Sequence, residues 1–563
     1  MNQDQDRRAL LAIVLSVLVF AIWQYFMPDP TPPPVETAAT EAAPVPAVGT
    51  APSAAPSTTP SGVVPSRVKV ADHGVALVAP GISAEVHSSN GAPRAIEVSG
   101  FEATIHVTPI WTWLMAKFGG EAEGEWSPYD GGDTPRIVLE KTGALVLAGA
   151  GPLDDDGAGT EGDAGAYTVV KNGDTIVARR ADPSGLLITK TYAPGPLERT
   201  LRVQVEVHNG TDRTLPGAWV GVVDHMAGSA GSMFDRSSNV TQPQAWVDDD
   251  FESIMSVDDV EGADVEEFTG PVSWFGMGDR YFLAALALDE VIDARVVMDQ
   301  LPGGRVGSFL MDGSPIDPGA TRTMSFTAYT GPKDLDTLLA VGHDLDQAVD
   351  YGIFGFFSKL LLFLLKLFHT GVGNWGLAII LLTMMIKLVF YPLNQRAYES
   401  SEKMKQLQPE LDTLKEKYKD DQQLQSQEMM KLWKDNGVSP LGGCLPMLVQ
   451  LPVFFALYNV MYYSVELYDT SFLYILDLTA ADPYGVIPTI YAGLLVLQQA
   501  MMPTANMDPT QQKIMKMMPL FFAFIMFSFP SGLVMYFCVN MLLTIVQQWW
   551  IRRRLSAAPK ATA

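Results

Sequence analysis

Leu381-Leu-Thr-Met-Met-Ile-Lys-Leu-Val-Phe-Tyr-Pro392 is an apolar run that contains one lysine, Lys387. A charged side chain at the centre of a membrane span costs about 2.5 to 3.5 kcal/mol on insertion scales, so Lys387 is expected to face protein or water. Thr383 lies four residues earlier, on the same helix face, and begins a polar stripe. Alternatively, Tyr391-Pro392 marks the membrane interface and the Lys387 amine snorkels to the headgroups. The first interpretation makes Lys387 part of a functional site, whereas the second makes it an anchor.

Apolar segments like the one around Lys387 recur along the C-terminal part, and each approaches the length of about 20 residues that a helix needs to cross a bilayer. They predict spans 2 to 6, at residues 375–394, 445–463, 484–502, 514–529 and 533–551. The last two are separated only by Pro530-Ser531-Gly532, a tight helix break that predicts a hairpin.

Polar residues other than Lys387 occur within these spans. They are Gln450, Asn459, Gln498, Gln499, Asn540 and Thr544. Taken singly, each is expected to hydrogen-bond to a neighbouring helix. Taken together, they predict a wet cavity within the membrane part.

An apolar helix is predicted at residues 350–370, immediately before these spans. Its few polar side chains recur at near-helical spacing, at Ser358, Lys359, Lys366 and His369. This pattern predicts an amphipathic helix that lies in the membrane interface. A spanning helix is the alternative, but Gly371 and Gly373 interrupt it and the next span begins at Trp375.

The N-terminal residues 1–27 hold a further apolar segment, with Arg7 and Arg8 before it. A cleaved signal peptide is one interpretation, but the stretch approaches spanning length and no clear small-x-small cleavage site follows it directly. An uncleaved signal anchor is therefore predicted as the first of six spans. Residues 28–66 are rich in Pro, Ala, Thr, Ser and Val, a composition typical of an extended tether.

The distribution of Lys and Arg predicts the orientation of the spans. Residues 396–440 hold seven lysines and one arginine, residues 464–483 hold neither, and the tail at 552–563 begins with three arginines. Positive residues favour the cytoplasmic side of a membrane. Both termini are therefore expected in the cytoplasm, with the large domain outside it.

The positive segment at 396–440 has a polar, helical pattern. Its apolar residues alternate by three and four, as in a coiled-coil seam, at Met404, Leu407, Leu411, Leu414 and Tyr418. Asp420-Asp421 offers a turn before residues 424–433 return. A cytoplasmic helical hairpin is predicted, since a simple connector would need no apolar stripe.

Residues 67–345 are predicted to form an all-β sandwich outside the cytoplasm. Short β-rich runs are followed by Asn90-Gly91, Asn172-Gly173 and Asn209-Gly210, and Asn-Gly is the strongest short-range hairpin signal. Acidic residues concentrate here and give the chain a formal charge of -25 at pH 7. This charge argues against nucleic acid as a direct partner, because phosphate binding needs a positive surface.

No residue pattern predicts a catalytic or metal centre. Histidines such as His73 and His106 show no metal-ligand spacing, and no catalytic triad is recognisable. The two cysteines, Cys444 and Cys538, are interpreted as small buried hydrophobic residues rather than as a disulfide framework. We therefore expect a protein that is not an enzyme and uses no cofactor.

Seven short stretches resemble the signature sequences of the YidC-type membrane protein insertases, in the Gram-negative form with a large periplasmic domain. They are Gly373-Asn-Trp-Gly376, Tyr391-Pro-Leu393, Leu407-Gln-Pro409, Gln427-Glu-Met-Met430, Pro440-Leu-Gly-Gly-Cys-Leu-Pro446, Gln511-Gln-Lys-Ile-Met515 and Phe529-Pro-Ser-Gly-Leu533. Their order and spacing extend the resemblance over nearly the whole chain. It implies a multi-pass protein of the bacterial inner membrane, with a five-helix core around a hydrophilic groove.

In that family the groove carries one positive charge, usually arginine, and the resemblance assigns Lys387 to that position. Lysine keeps the charge but loses the planar fork of the guanidinium group. The further groove residues that it implies are Thr383, Gln450, Tyr536, Phe537 and Asn540. Phe537 stands where many relatives have a second tyrosine.

The implied function is insertion and folding of nascent membrane proteins, alone or with the Sec translocon, with the ribosome and membrane lipids as further partners. Two other classes of function fit parts of the sequence. A secondary transporter would use Lys387 as a coupling charge, but no internal repeat is visible. An envelope carbohydrate-binding module would use the β domain alone, which leaves the polar stripe unexplained.

Overall fold

The computed structural model describes most of the chain from residue 72 onwards. Described are residues 72–102, 106–107, 129–130, 135–139, 144–150, 167–182, 185–225, 241–253, 266–301, 305–349, 351, 354–419, 421–437, 445–501, 517 and 521–557. The predicted N-terminal anchor and tether, Cys444 and part of the predicted fifth span lie outside these residues.

Eighteen strands form the first half of the described chain, and all their pairings are antiparallel. They are β1 (Gly74–Ala79), β2 (Ile82–His87), β3 (Pro93–Glu102), β4 (His106–Val107), β5 (Tyr129–Asp130), β6 (Pro135–Leu139), β7 (Ala144–Ala150), β8 (Thr168–Asn172), β9 (Thr175–Ala181), β10 (Leu186–Pro194), β11 (Thr200–Asn209), β12 (Ala218–His225), β13 (Gln242–Val247), β14 (Asp250–Ser253), β15 (Glu266–Gly278), β16 (Phe282–Leu301), β17 (Arg305–Asp312) and β18 (Thr321–Pro332).

The strands build one large and two small sheets. The large sheet has the order β14-β13-β15-β16-β18-β11-β10-β9-β8, with a branch that runs from β16 through β17 and β12 to β7. The branch arises because the first part of β16 pairs with β18 and the last part pairs with β17. A smaller sheet has the order β1-β2-β3-β6, and β4 pairs with β5. The predicted all-β domain is confirmed.

The strands follow from the period of their sequences. In β11, Val203, Val205 and Val207 are buried while Arg202 and Gln204 are exposed, the alternation of a strand with one face on a core. The start of β16 differs, since every residue from Phe282 to Ala287 is buried. A continuous apolar run of this kind suits a strand that is covered on both faces.

Two of the three Asn-Gly signals form hairpins. Asn90-Gly91 joins β2 to β3 and Asn172-Gly173 joins β8 to β9, with both glycines at positive φ. The third expectation, at Asn209-Gly210, is wrong, because β12 pairs with β7 and β17 instead of β11. Asn209 is buried there, and its Nδ2 donates to the carbonyls of Arg213 and Ile316, which stabilises a crossover.

Nine α-helices make up the rest of the described chain, apart from a short helical segment at 521–526. They are α1 (Leu335–Val341), α2 (Gly355–Val372), α3 (Trp375–Val389), α4 (Tyr391–Gln406), α5 (Gln408–Lys417), α6 (Gln422–Asp435), α7 (Leu445–Tyr463), α8 (Val486–Met501) and α9 (Ser531–Ala557). Single 3-10 turns lie at Leu345–Ala348 and Val465–Leu467. By length and hydropathy, α2 and residues 531–554 of α9 qualify as spans among the described residues, and the pair α3–α4 counts as a third if it is one bent span. The total of six spans stays a prediction.

The second predicted span ends earlier than its apolar sequence suggests. Helix α3 ends at Val389, and α4 continues after Phe390 at an angle of 63°. Pro392 explains the break, since proline fits the first turn of a new helix but cannot continue an existing one. The Lys387 helix and the positive segment are therefore nearly continuous along the chain, without the predicted boundary at residue 394.

The positive segment contains three helices instead of the two of the predicted hairpin. A break at Leu407 precedes α5, which has Pro409 in its first turn. Gln425 Nε2 of α6 donates to the carbonyl of Lys415 in α5 at 3.0 Å, so the two helices contact each other. Leu411 of the expected apolar seam is buried, while the other four seam residues are half-buried.

One hydrophobic core joins the β domain to the helices. It includes Trp274 and Leu283 of the strands, Leu338 of α1, and apolar side chains of α2, α3, α7 and α9. At its edge, Arg280 Nη2 donates to the Tyr462 hydroxyl of α7 at 2.5 Å and its guanidinium lies over the same ring. The β domain is thereby packed directly against the helices that carry the predicted site.

Candidate functional site

Lys387 lies on α3 with a neutral partner. Its Nζ donates to Thr544 Oγ1 of α9 at 2.7 Å, and Thr544 Oγ1 donates in turn to the Asn540 carbonyl at 2.8 Å. Among the described residues, no carboxylate forms an ion pair with Lys387. The ammonium is therefore held in place by a hydroxyl, and no described carboxylate compensates its charge.

A cavity of about 450 Å³ lies beside this ammonium group. Its lining residues are Met384, Lys387, Leu388, Tyr391, Leu543, Val546, Gln547 and Trp550. Most of them are apolar, and the walls come from α3, α4 and α9. Gln547 is only 9% exposed, and its Nε2 has no hydrogen-bond partner in the described part of the chain. The polar residues of the lining are thus Lys387, Tyr391 and Gln547, and the rest of the wall is apolar.

A second polar contact lies nearer the start of α9. Gln450 Nε2 of α7 donates to the hydroxyl of Tyr536, whose side chain is fully buried. Phe537 packs beside it, with ring centroids 5.4 Å from Phe454 and 5.7 Å from Tyr491. The aromatic side chain at this position therefore fills a hydrophobic junction between α7, α8 and α9.

The spacing on α9 links the two polar contacts. Tyr536, Asn540 and Thr544 are four residues apart and lie on one helix face, over a rise of about 12 Å. The structure thus brings Lys387 next to the Thr544 end of this face and Gln450 next to its Tyr536 end. Asn540 is half-buried between them.

Thr383 takes no part in these contacts through its hydroxyl. It is completely buried, and its Oγ1 donates to the Ile379 carbonyl in its own helix at 2.7 Å. Threonine commonly bonds the carbonyl four residues earlier in this way. Thr383 remains one turn from Lys387, as predicted from the sequence.

Three residues near Lys387 were not named as groove residues from sequence. Thr544 was predicted only as one of six polar residues that together line a wet cavity, although its spacing of four from Asn540 indicates the same face. Gln547 follows three residues later. Tyr398 of α4 also hydrogen-bonds to Thr544 and Gln548, a contact that depends on the bend after α3 and has no local sequence signal.

Asn459 and Ser358 bind between helices instead of lining the cavity. Asn459 Nδ2 donates to the Tyr351 carbonyl at 2.5 Å, and Ser358 Oγ of α2 donates to the Ala456 carbonyl of α7 at 3.1 Å. Gln498 is buried on α8 with an unpartnered Oε1, away from the cavity lining. Ser358 thus joins two helices and Asn459 joins α7 to the segment before α2, whereas Gln498 Oε1 has no hydrogen-bond partner among the described residues.

A different arrangement surrounds Lys366 of α2. Its Nζ lies 3.2 Å from Asp334, 2.8 Å from Asp336 and 2.7 Å from Glu466. Partial burial alone would raise the pKa of Asp334, but hydrogen bonds from Thr337 and the charge of Lys366 hold it below the usual carboxyl value. The cluster joins α2 to the end of the β domain and to the 3-10 turn after α7.

No metal or redox site is recognisable in the described residues. No three His, Cys, Asp or Glu side chains converge as a metal would require. Cys538 is a free thiol, half-buried instead of fully buried as predicted, and its Sγ lies 3.5 Å from the Ile487 carbonyl.

Two family models match the chain in succession. The model described as YidC periplasmic domain matches residues 142–364, and the model described as 60Kd inner membrane protein matches residues 367–558. The first covers most of the β domain and the second covers the helices from the end of α2 onwards, including Lys387.

Curated relatives match over long stretches. A membrane protein insertase YidC of Nitratidesulfovibrio vulgaris is 34% identical over 581 aligned residues, which cover 98% of this chain and 100% of the relative. One of Geobacter sulfurreducens is 40% identical over 382 residues, covering 67% of this chain and 70% of the relative. A solved YidC insertase structure with its first transmembrane domain covers 85% of this chain and 92% of its own, at 18% identity and a TM-score of 0.35.

Proposed function

The chain belongs to the YidC family of membrane protein insertases, and from that premise we propose that polar segments of its substrates enter the membrane beside Lys387. The family inserts proteins into the inner membrane and is not enzymatic. The β domain is accordingly periplasmic. The transporter and carbohydrate-binding alternatives receive no support from the relatives.

The observation that carries the proposed route is the uncompensated charge of Lys387. A side chain that serves only packing would be expected to find a counter-charge, because an unpaired charge away from water is costly. Lys387 has a hydroxyl partner and a cavity instead. This arrangement keeps a cation available for polar or acidic groups of an arriving chain.

The barrier that such a site lowers is large. A polar stretch must cross about 30 Å of hydrocarbon, where each unsatisfied backbone group costs several kcal/mol. Asn540, half-buried on the polar face of α9 between Tyr536 and Thr544, adds a polar partner along part of that path. No chemical energy source is needed for this step, because the chain moves down a free-energy gradient.

The driving force comes from the apolar part of the substrate. Three apolar side chains next to the Lys387 cavity are largely exposed. They are Leu388 (72%), Val389 (64%) and Val546 (53%). A hydrophobic segment released along these side chains enters lipid and gains about 0.8 kcal/mol for each buried methylene. Polar capture and apolar release therefore occur on adjacent faces of α3 and α9.

The finer topology is part of the same proposal. The distribution of Lys and Arg is accounted for by six spans, with both termini and the helices α5 and α6 in the cytoplasm. The ion pair between Arg552 Nη2 and Glu402 Oε1, at 2.8 Å, supports this arrangement, because it joins the end of α9 to α4 on one side. Helix α2 would lie in the periplasmic interface with its exposed phenylalanines in lipid.

The partners follow from the proposed route. Nascent membrane proteins are the substrates, and membrane lipids receive them. The Sec translocon is proposed as a collaborator for longer substrates, and the ribosome as a donor of chains to the lysine-bearing helices α4, α5 and α6.

Reconstitution tests the route. The purified protein in liposomes should protect a short single-span substrate from added protease, and Lys387→Ala should abolish protection while Lys387→Arg retains it. Lys359→Ala is a matched control, since Lys359 is an exposed lysine of α2. Normal protection by Lys387→Ala would contradict the proposed route.

A further inference from the structure

Gln547 is a buried glutamine with an unused donor. Only 9% of it is exposed, and its Nε2 finds no partner among the described residues. A buried polar group without a hydrogen bond destabilises the folded state, so such groups call for an explanation. Gln547 lines the same cavity as Lys387, which indicates that the missing partner belongs in that cavity.

The geometry brings the two donors to one place. Lys387 Nζ is bonded to Thr544 Oγ1, and Gln547 lies three residues after Thr544 on the same face of α9. Residues three apart on a helix are surface neighbours, about 5 to 6 Å between Cβ atoms. Gln547 therefore lies next to Thr544, the partner of the Lys387 ammonium, and lines the same cavity as Lys387.

The donor count defines the chemistry of the occupant. An ammonium has three N–H groups, and the contact with Thr544 uses one of them. The Gln547 amide adds its own N–H groups, and no carboxylate lines the cavity within the described part of the chain. A cation and a neutral donor side by side suit a group with two acceptor oxygens and a negative charge, such as a carboxylate.

We propose that Gln547 is a specificity-determining residue that forms, with Lys387, a two-donor subsite for an Asp or Glu side chain of the arriving substrate. This proposal rests on the insertion route proposed above. An arginine can bind both oxygens of a carboxylate through its planar fork, whereas a lysine binds as a point charge. In this chain the amide of Gln547 supplies the second donor that the lysine lacks.

A pair of matched substrates tests the proposal. One carries Asp and the other Asn at the same position of the translocated segment, and the protected fraction of each is measured in proteoliposomes. The wild-type protein should insert the Asp substrate several-fold more efficiently. Gln547→Leu keeps a similar volume but removes the amide, and it should bring the ratio of the two efficiencies close to one.

A rescue and a control separate recognition from packing. The double variant Lys387→Arg/Gln547→Leu should restore the preference for Asp, because the guanidinium provides both donors. Gln498→Leu replaces another buried glutamine, one that does not line the cavity, and should keep the wild-type ratio. Failure of the double variant to restore the ratio would contradict the two-donor subsite.

Other outcomes identify which proposal fails. If Gln547→Leu lowers insertion of both substrates equally, the amide serves packing or holds a lipid phosphate, and the carboxylate subsite is wrong. If Gln547→Leu keeps the Asp preference while Lys387→Ala abolishes insertion, only the role of Gln547 is overturned. If Lys387→Ala inserts both substrates normally, the insertion route itself is overturned.

Discussion

Lys366 and Lys387 stand in opposite electrostatic surroundings. Lys366 contacts three carboxylates from two different parts of the chain, whereas Lys387 contacts a threonine hydroxyl and a cavity. Both lie on apolar helices and both are only partly exposed. The same residue type is thus a structural connector in one region and an available charge in the other.

The difference shows how the counter-charge decides the role of a lysine. At Lys366, three acidic groups compensate one cation, so the cluster is stabilising only while it is complete. At Lys387, the neutral partner fixes the side chain without cancelling its charge. A charge that stays available can act on a substrate, and a charge that is compensated holds the β domain to α2.

The largest effect should come from reversing the charge at Lys387. Lys387→Glu should reduce insertion at least tenfold, which corresponds to about 1.4 kcal/mol or more in the barrier. Lys387→Arg should stay near the wild-type value. Protease protection of a single-span substrate measures insertion by both variants. Insertion by Lys387→Glu at the wild-type level would show that the charge of Lys387 has no role in insertion.

Removing the charge at Lys366 should affect stability more than insertion chemistry. Lys366→Met leaves Asp334, Asp336 and Glu466 facing each other, and should lower the free energy of unfolding by about 2 to 4 kcal/mol, somewhat less than for a fully buried pair. Lys387→Met should have a smaller effect. Thermal unfolding in detergent compares the two variants, and equal destabilisation would show that the two lysines do not differ as described.

Asp477, a buried acid in the loop between α7 and α8, extends the comparison to a carboxyl without a cation. Burial raises its pKa to about 6, despite hydrogen bonds from Thr479 that act in the opposite direction. The folded protein therefore binds this proton more tightly than the unfolded chain, so its contribution to stability is greatest at low pH and is lost as pH rises through 6.

Asp477→Asn should remove the loss of stability that the wild-type protein shows as pH rises through 6. The variant keeps an oxygen that can accept from Thr479, and it should be more stable than wild type by about 1 to 3 kcal/mol at pH 7, with little difference at pH 4. Unfolding midpoints at the two pH values measure the effect. Asp346→Asn, a substitution of a half-buried aspartate outside this loop, provides the control, and parallel pH profiles for wild type and Asp477→Asn would refute the expectation.

The smallest effect is expected at the far end of the polar face. Tyr536→Phe keeps the ring but removes the hydroxyl that accepts from Gln450, which should cost about 1 kcal/mol of stability. Insertion should fall by less than in Lys387→Glu, because the charge remains. A loss as large as that of Lys387→Glu would move the centre of the site from Lys387 to Tyr536.

Much of the fold was predictable because the sequence signals are local. Alternating apolar residues mark the strands, Asn-Gly marks two hairpins, and proline marks the breaks before α4, α5 and α9. The Asn209-Gly210 prediction was wrong because a turn signal does not specify which strand the chain pairs with next. The end of α3 at Val389 was also missed, since Pro392 was interpreted as an interface mark instead of the start of a new helix.

The sequence by itself determined that this chain has an acidic β domain, apolar helices and one lysine inside an apolar run, because composition and period depend only on neighbouring residues. It also carried the family resemblance that the relatives confirm. Only the tertiary structure decided that Lys387 meets Thr544 and lines one cavity with Gln547, while Lys366 meets three carboxylates. The partners of Lys387 lie about a hundred residues or more away along the chain, and those of Lys366 lie on separate elements. Contacts at such separations are fixed by the packing of whole helices and domains.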